Sequence, residues 1–233
     1  METTLNTGEK RMVAKYKYMK HSTNQLTKIL TAAEELFIKK GIQAVSFTEI
    51  ASCCGITRST LYRYFENKDE ILWEIHHRKI GGYSSRLMEY YEQTNKTTYS
   101  RFQCFFHLLK HILCTAPHDL LFQSAFSHTY TRETMDMENG IYNHIFSPDE
   151  FRSGDMLRFL KGSLFHDGSV RPDLDPDEIC AAAIHSGFGA VTALAQSPDR
   201  IIVRYHTDAV TLADVTFSLF LKAIKKEMPE TDA

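Results

Sequence analysis

Residues 46–70, SFTEIASCCGITRSTLYRYFENKDE, hold a cluster of donors suited to reading a nucleic acid. The guanidinium of Arg58 can bond a guanine edge in bidentate fashion, and the hydroxyls of Ser59 and Thr60 can read neighbouring edges less selectively. Only a few side chains at the start of a recognition helix reach base edges, while the groups around them hold phosphates. A second cluster, Cys104, His107, His111 and Cys114, imitates a metal site, falling within roughly 80° of a helical wheel. Its outer cysteines would stand about 15 Å apart along the axis, so only His107 and His111 could share an ion. Two ligands without a third assign no metal, and an ordinary polar face or a pocket wall explains them as well. Phe122, Phe126 and Tyr130 recur every four residues. That spacing fits a core stripe; with Phe105, Phe106 and the nearby histidines it also fits the wall of an apolar cavity.

The elements that must position Arg58 can be read locally. Ser46 and Glu49 have the spacing of a capping box, so a helix is expected from Phe47 to about Cys54. Gly55 follows, the residue best able to take the left-handed geometry of a tight turn. Thr57 can cap a second helix, in which Leu61 and Phe65 share a buried stripe. Asn67 and Glu70 repeat the capping spacing for a third. Lys68 then falls in a first turn, where a cation opposes the helix dipole. A phosphate bridging the ammonium and the free backbone donors would account for it, as would plain solvent exposure.

This segment strongly resembles the tetracycline-repressor (TetR) family through Phe47, Thr48, Ile50, Ala51, Gly55, Ile56, Leu61, Tyr62, Phe65, Lys68 and Glu70. The preceding LTKILTAAEELFIKKG, with its stripe of Leu26, Ile29, Leu30, Ala33, Leu36 and Phe37 ending at Gly41, supplies the family's first helix. The resemblance implies a DNA-binding transcriptional regulator, more readily a repressor than an activator, and makes Thr48, Tyr62, Tyr64 and Lys68 phosphate contacts. For Tyr64, packing as a core aromatic is an equal alternative. It also implies an all-α chain: an N-terminal three-helix helix-turn-helix domain plus a C-terminal helical ligand-binding and dimerisation domain. In the family a cavity in that body takes a small effector, so Phe105, His107, His111, Phe122, Phe126 and Tyr130 are the candidate pocket for a hydrophobic or aromatic molecule. A relative without such an inducer, answering to a partner protein or acting as a chromosome-associated DNA binder, is the alternative.

Composition agrees. The 233 residues suffice for two unequal domains. Residues 1–80 hold 13 Lys/Arg against 9 Asp/Glu and the remainder 14 against 20, a basic head on an acidic body. Five cysteines without zinc-ribbon spacing suggest free thiols in a reducing compartment, and Cys53 and Cys54 read either as buried hydrophobes or as a redox switch. With no signal-peptide core and no stretch of about 18 uncharged apolar residues, a cytoplasmic protein without a membrane partner is expected. No nucleotide-binding glycine loop, G-x-S-x-G elbow or H-E-x-x-H motif is present, so neither catalysis nor a cofactor is expected.

The expected organisation is a basic extension over 1–22, a DNA-binding domain over 23–80 and a helical regulatory domain over 81–233. The extension, with Lys10, Arg11, Lys15, Lys17 and Lys20 among tyrosines, is either a solvated tail or an arm following DNA. Gly81 and Gly82 predict a break after KDEILWEIHHRKI, as hinge or as ordinary helix end. Helices are predicted near 83–94, 99–115, 118–133, 148–166, 176–195 and 207–227, the fourth and fifth from Ser147-Pro148-Asp149-Glu150 and Asp175-Pro176-Asp177-Glu178. The last two helices carry Ile184, Phe188 and Val191, then Val210, Ala213, Phe217, Phe220 and Ile224. These are read as a homodimer interface, because the family pairs these helices and a twofold dimer suits a palindromic operator in double-stranded DNA.

Overall fold

The computed structural model of the protein describes residues 23–129 and 155–226. Among the described residues the chain is all-α, with one isolated bridge between Val170 and Lys225 and no strand. In chain order the helices are α1 (Thr23–Lys40), α2 (Phe47–Cys53), α3 (Arg58–Tyr62), α4 (Lys68–Glu92), α5 (Thr98–Thr115), α6 (Pro117–Thr129), α7 (Asp155–Lys161), α8 (Pro176–Gln196), α9 (Pro198–Tyr205) and α10 (Ala209–Ile224). The basic extension, Tyr130 and the helix start at 147–150 lie outside the described residues.

The chain forms two compact units, each with its own apolar core. The first draws on residues 23–79 and 122–129. Its core joins Ile29, Ala33 and Phe37 of α1 to Ile50 and Ala51 of α2, Leu61 of α3, and Ile71, Leu72 and Trp73 of α4. Phe122 and Phe126 of α6 are buried in this same cluster, at 0% and 2% exposure. The unit is thus larger than the expected 23–80, because those aromatics bury their rings in its core, Phe126 against Trp73 and His76 of α4. The second unit draws on 80–121 and 155–226 and packs α5 against α8 and α10. Phe106 stacks on Phe217 at 4.6 Å, and Gly187 lets α8 approach Phe105 and Leu109, which a Cβ there would strike at 2.7–3.1 Å.

Three expectations are corrected. No break occurs at Gly81 and Gly82: α4 runs uninterrupted for 25 residues. The two glycines cost about 1 kcal/mol each in a helix, but burial of Ile71, Leu72 and Ile75 on one side and Leu87 and Tyr91 on the other holds the flanking turns. Between α8 and α10 a further helix, α9, was not anticipated. It opens on Ser197-Pro198-Asp199, a weaker form of the start that marks α8, and ends where His206 takes a left-handed conformation at φ 54°. Finally, α8 is long and apolar enough by composition to cross a bilayer. The acidic first turn at Asp177 and Glu178 hides this from a search for uncharged runs, and Cys180, Ala183, Gly187 and Val191 bury one side of the helix within the second unit.

Candidate nucleic-acid interface

The helix-turn-helix is built by its caps. Ser46 Oγ accepts the Glu49 amide at 3.1 Å and opens α2. The Glu49 carboxylate pairs with Lys40 and also takes the Ser46 amide, and both interactions hold its pKa down. The chain leaves α2 through Gly55 at φ +65°, where the Ile56 amide donates to Ala51 O at 3.0 Å. A side chain at that φ would be strained, so glycine sets the turn. Thr57 Oγ1 then accepts the Thr60 amide at 3.1 Å and lies 2.9 Å from the hydroxyls of both Ser59 and Thr60. Leu61, fully buried, faces α3 inward; Arg58 and Ser59 are left exposed and Thr60 partly so.

The surrounding groups separate into two kinds. Thr48 is exposed on α2, and Tyr62 is 46% exposed on α3. Tyr64 is partly buried and packs against the core of the first unit, so its ring serves the fold. Lys68 is committed more deeply than its sequence position suggested: Nζ donates to the carbonyls of Ile42 at 2.7 Å and Val45 at 3.1 Å. The cation at the unfavourable end of α4 therefore ties down the link between α1 and α2. An ammonium has three donors, so one is left to turn outward. Asn67 Oδ1 caps α4 through the Glu70 amide at 2.9 Å, while Glu70 reaches back to the Glu66 amide at 2.7 Å. Of the adjacent thiols, Cys54 is buried and Cys53 exposed, so only the first behaves as a core hydrophobe.

Behind this surface His76 stacks on Phe126 at 4.1 Å with the rings nearly parallel, and Trp73 meets Phe126 edge-on at 4.6 Å. His76 Nδ1 lies 2.7 Å from Gln123 Oε1, a bond that places the ring proton on Nδ1. Loss of hydration pushes the imidazole down to about 4, against the opposing pull of Gln123. This histidine gives no hint of itself in the sequence, because its partners arrive from α6, 47 residues away.

Residues 29–75 match the family described as "Bacterial regulatory proteins, tetR family". The repressor BepR of Brucella suis is 43% identical over 47 residues, 20% of this chain and 22% of that protein. Such curated relatives are matched over well under two thirds of their length. Solved structures extend the likeness in fold. NalD of Pseudomonas aeruginosa, the secondary repressor of the MexAB-OprM multidrug efflux pump, superposes with a TM-score of 0.62 at 18% identity, covering 89% of this chain and 100% of that one. FadR of Bacillus subtilis, solved with stearoyl-CoA, gives 0.62 at 19%, covering 85% and 98%. Residues 29–75 are thus a TetR-family segment. The N-terminal helix-turn-helix and the C-terminal helical domain share the fold of these solved regulators.

The expected pocket residues that are described divide between the two units. Phe105 is wholly buried in the second unit's core, whereas Phe122 and Phe126 belong to the core of the first. Their four-residue spacing marks a core stripe. His107 is exposed, with Tyr90 edge-on to it at 4.6 Å. Arg86 bonds His111 Nε2, which occupies that nitrogen's lone pair; loss of hydration and then the guanidinium charge lower this imidazole's pKa. What the second unit does contain is an open cleft of about 490 Å³, lined by Tyr90, Gln93, Cys104, His107 and Phe217, with the Lys110–Asp214 pair at 2.8 Å on its lining.

The predicted pairing residues also divide. Val191, Ala213, Phe217 and Ile224 are buried in the protomer's own core, at 0–5% exposure. Ile184, Phe188, Val210 and Phe220 are only partly covered, and Ile184, Phe188 and Phe220 pack against the same core. An apolar stripe at 3–4 spacing demands cover without saying from which molecule, and here the same chain supplies it. The outward positions include Ala182, His185, Ser186, Gly189 and Ala193 on α8, with Val215 and Leu219 on α10 at 53% and 64% exposure.

Proposed function

We propose that this protein represses transcription as a homodimer, gripping a palindromic operator with two copies of α3 and releasing it when a small hydrophobic or aromatic molecule binds the second unit. The observation that carries the reading is the capped α3, which buries Leu61 and leaves Arg58, Ser59 and Tyr62 exposed and Thr60 partly so, with Thr48 exposed on α2. In this reading Arg58 bonds a base edge, Ser59 and Thr60 read its neighbours, and Thr48, Tyr62, the Tyr64 hydroxyl and the remaining Lys68 donor hold phosphates. Residues 1–22 are a basic extension, 23–80 carry the DNA-binding helices with Phe122 and Phe126 completing their core, and the remainder of 81–233 regulates and pairs. The work is done in the cytoplasm, without cofactor or catalysis.

Pairing is assigned to the outward faces of α8 and α10. Small residues on α8 permit close approach of a second helix, and exposed Val215 and Leu219 need cover. The names of BepR and NalD as repressors favour repression. The stearoyl-CoA in FadR favours an apolar ligand class, for which the cleft beside Tyr90 and Phe217 offers aromatic walls and polar anchors.

Purified protein mixed with sheared DNA from its own source, selected at about 150 mM salt where nonspecific phosphate contacts weaken, should enrich a palindrome. A folded dimer that enriches nothing would refute direct operator binding and favour dependence on a partner protein.

A further inference from the structure

We propose that Tyr62 is a positioning residue for Arg58, and so helps to set base preference instead of serving the backbone alone. The inference rests on the DNA-binding reading above. Arg58 opens α3 and Tyr62 lies one turn later on the same face. Arg58 Nη2 donates to the Tyr62 hydroxyl at 2.8 Å, and the guanidinium carbon lies 5.3 Å from the Tyr62 ring centroid. The ring is itself steadied by Phe47, the first residue of α2, at 4.8 Å between centroids. Phe47, Tyr62 and Arg58 thus form a continuous chain from one helix of the motif to the reading edge of the next.

An unsupported arginine surrenders much rotamer freedom when it is fixed at a base edge. Here part of that ordering is already present in the free protein, and preorganised groups bind with less loss. The bond to Tyr62 uses one donor of the guanidinium fork and leaves others for a guanine. Having accepted from Arg58, the Tyr62 hydroxyl keeps its own proton for a phosphate oxygen. A single phenol then links the register on the backbone to the aim of the base reader.

The test uses the full-length protein and a random duplex library selected at constant salt. The enriched duplex and its single-base-pair substitutions are titrated with wild type, Arg58→Ala, Tyr62→Phe and the double variant. Tyr62→Phe should flatten preference about fivefold to tenfold at the base pairs that Arg58→Ala flattens, and should change preference by under about twofold in the Arg58→Ala background. Uniform weakening on every sequence, equal in both backgrounds, overturns the proposal and leaves Tyr62 as a phosphate contact only. If wild type selects no sequence, it is the DNA-binding reading that fails. The pairing is then judged in DNA-free protein by NMR: the Arg58 δ-methylene protons should be displaced by the Tyr62 ring current and move toward ordinary values in Tyr62→Leu. No movement overturns it there too.

Discussion

Arg58 and Lys68 are both cations at helix starts, yet the structure asks different things of them. Arg58 is exposed on α3 and bonds Tyr62, so Arg58→Ala should leave thermal unfolding unchanged while costing about 1–3 kcal/mol of binding and relaxing base preference. Lys68→Ala removes a charged donor from two carbonyls and should lower stability by about 1–3 kcal/mol as well as weakening binding to all DNA alike. Denaturant titration alongside DNA binding separates the two. The anomaly of a lysine in the first turn of α4 was legible in the sequence; its partners were not, because the acceptors lie 26 and 23 residues away. His76 sets a third expectation. Its pKa falls from 6.5 to about 4 on folding, so between those values the unfolded chain binds the extra proton. Stability from this group is complete above pH 6.5 and is lost as pH falls toward 4, by at most about 3 kcal/mol. Urea unfolding from pH 7.5 to 4.5 should show that loss in wild type and a shallower slope in His76→Phe.

At the level of elements, what the sequence declares through local chemistry is reproduced. Ser46, Thr57, Asn67 and Asp175 each accept the amides their spacing predicts, since a cap and its donor lie within a few residues. Elements governed by distant packing were harder to read. The glycine pair weakens α4 locally, but burial on either side of it wins. Gly81 and Gly82 have open space where a Cβ would stand, so Gly81→Ala and Gly82→Ala should each raise stability by about 1 kcal/mol, measurable as a higher Tm. A drop would show that the backbone needs glycine there. The apolar stripes of α8 and α10 were legible as stripes, and Phe217 and Val191 were misassigned because periodicity fixes a face but not its partner.

For the whole molecule, the proposed pairing is the property to test. Leu219→Glu places a charge on the outward face of α10, where Leu219 is 64% exposed and not part of the protomer core. It should halve the sedimenting mass without loss of helicity. It should also weaken operator binding by about a hundredfold, since two tethered heads gain that much or more over one. Retained dimer mass would move the interface elsewhere. A final consequence follows from Phe122 and Phe126 lying in the core of the first unit, although they come more than 40 residues after its last N-terminal residue. The reading head cannot be cut from this chain as a continuous cassette. A fragment ending near residue 80 would lack both aromatics and expose Trp73 and His76, so grafting this specificity onto another regulator must carry the second half of α6 as well.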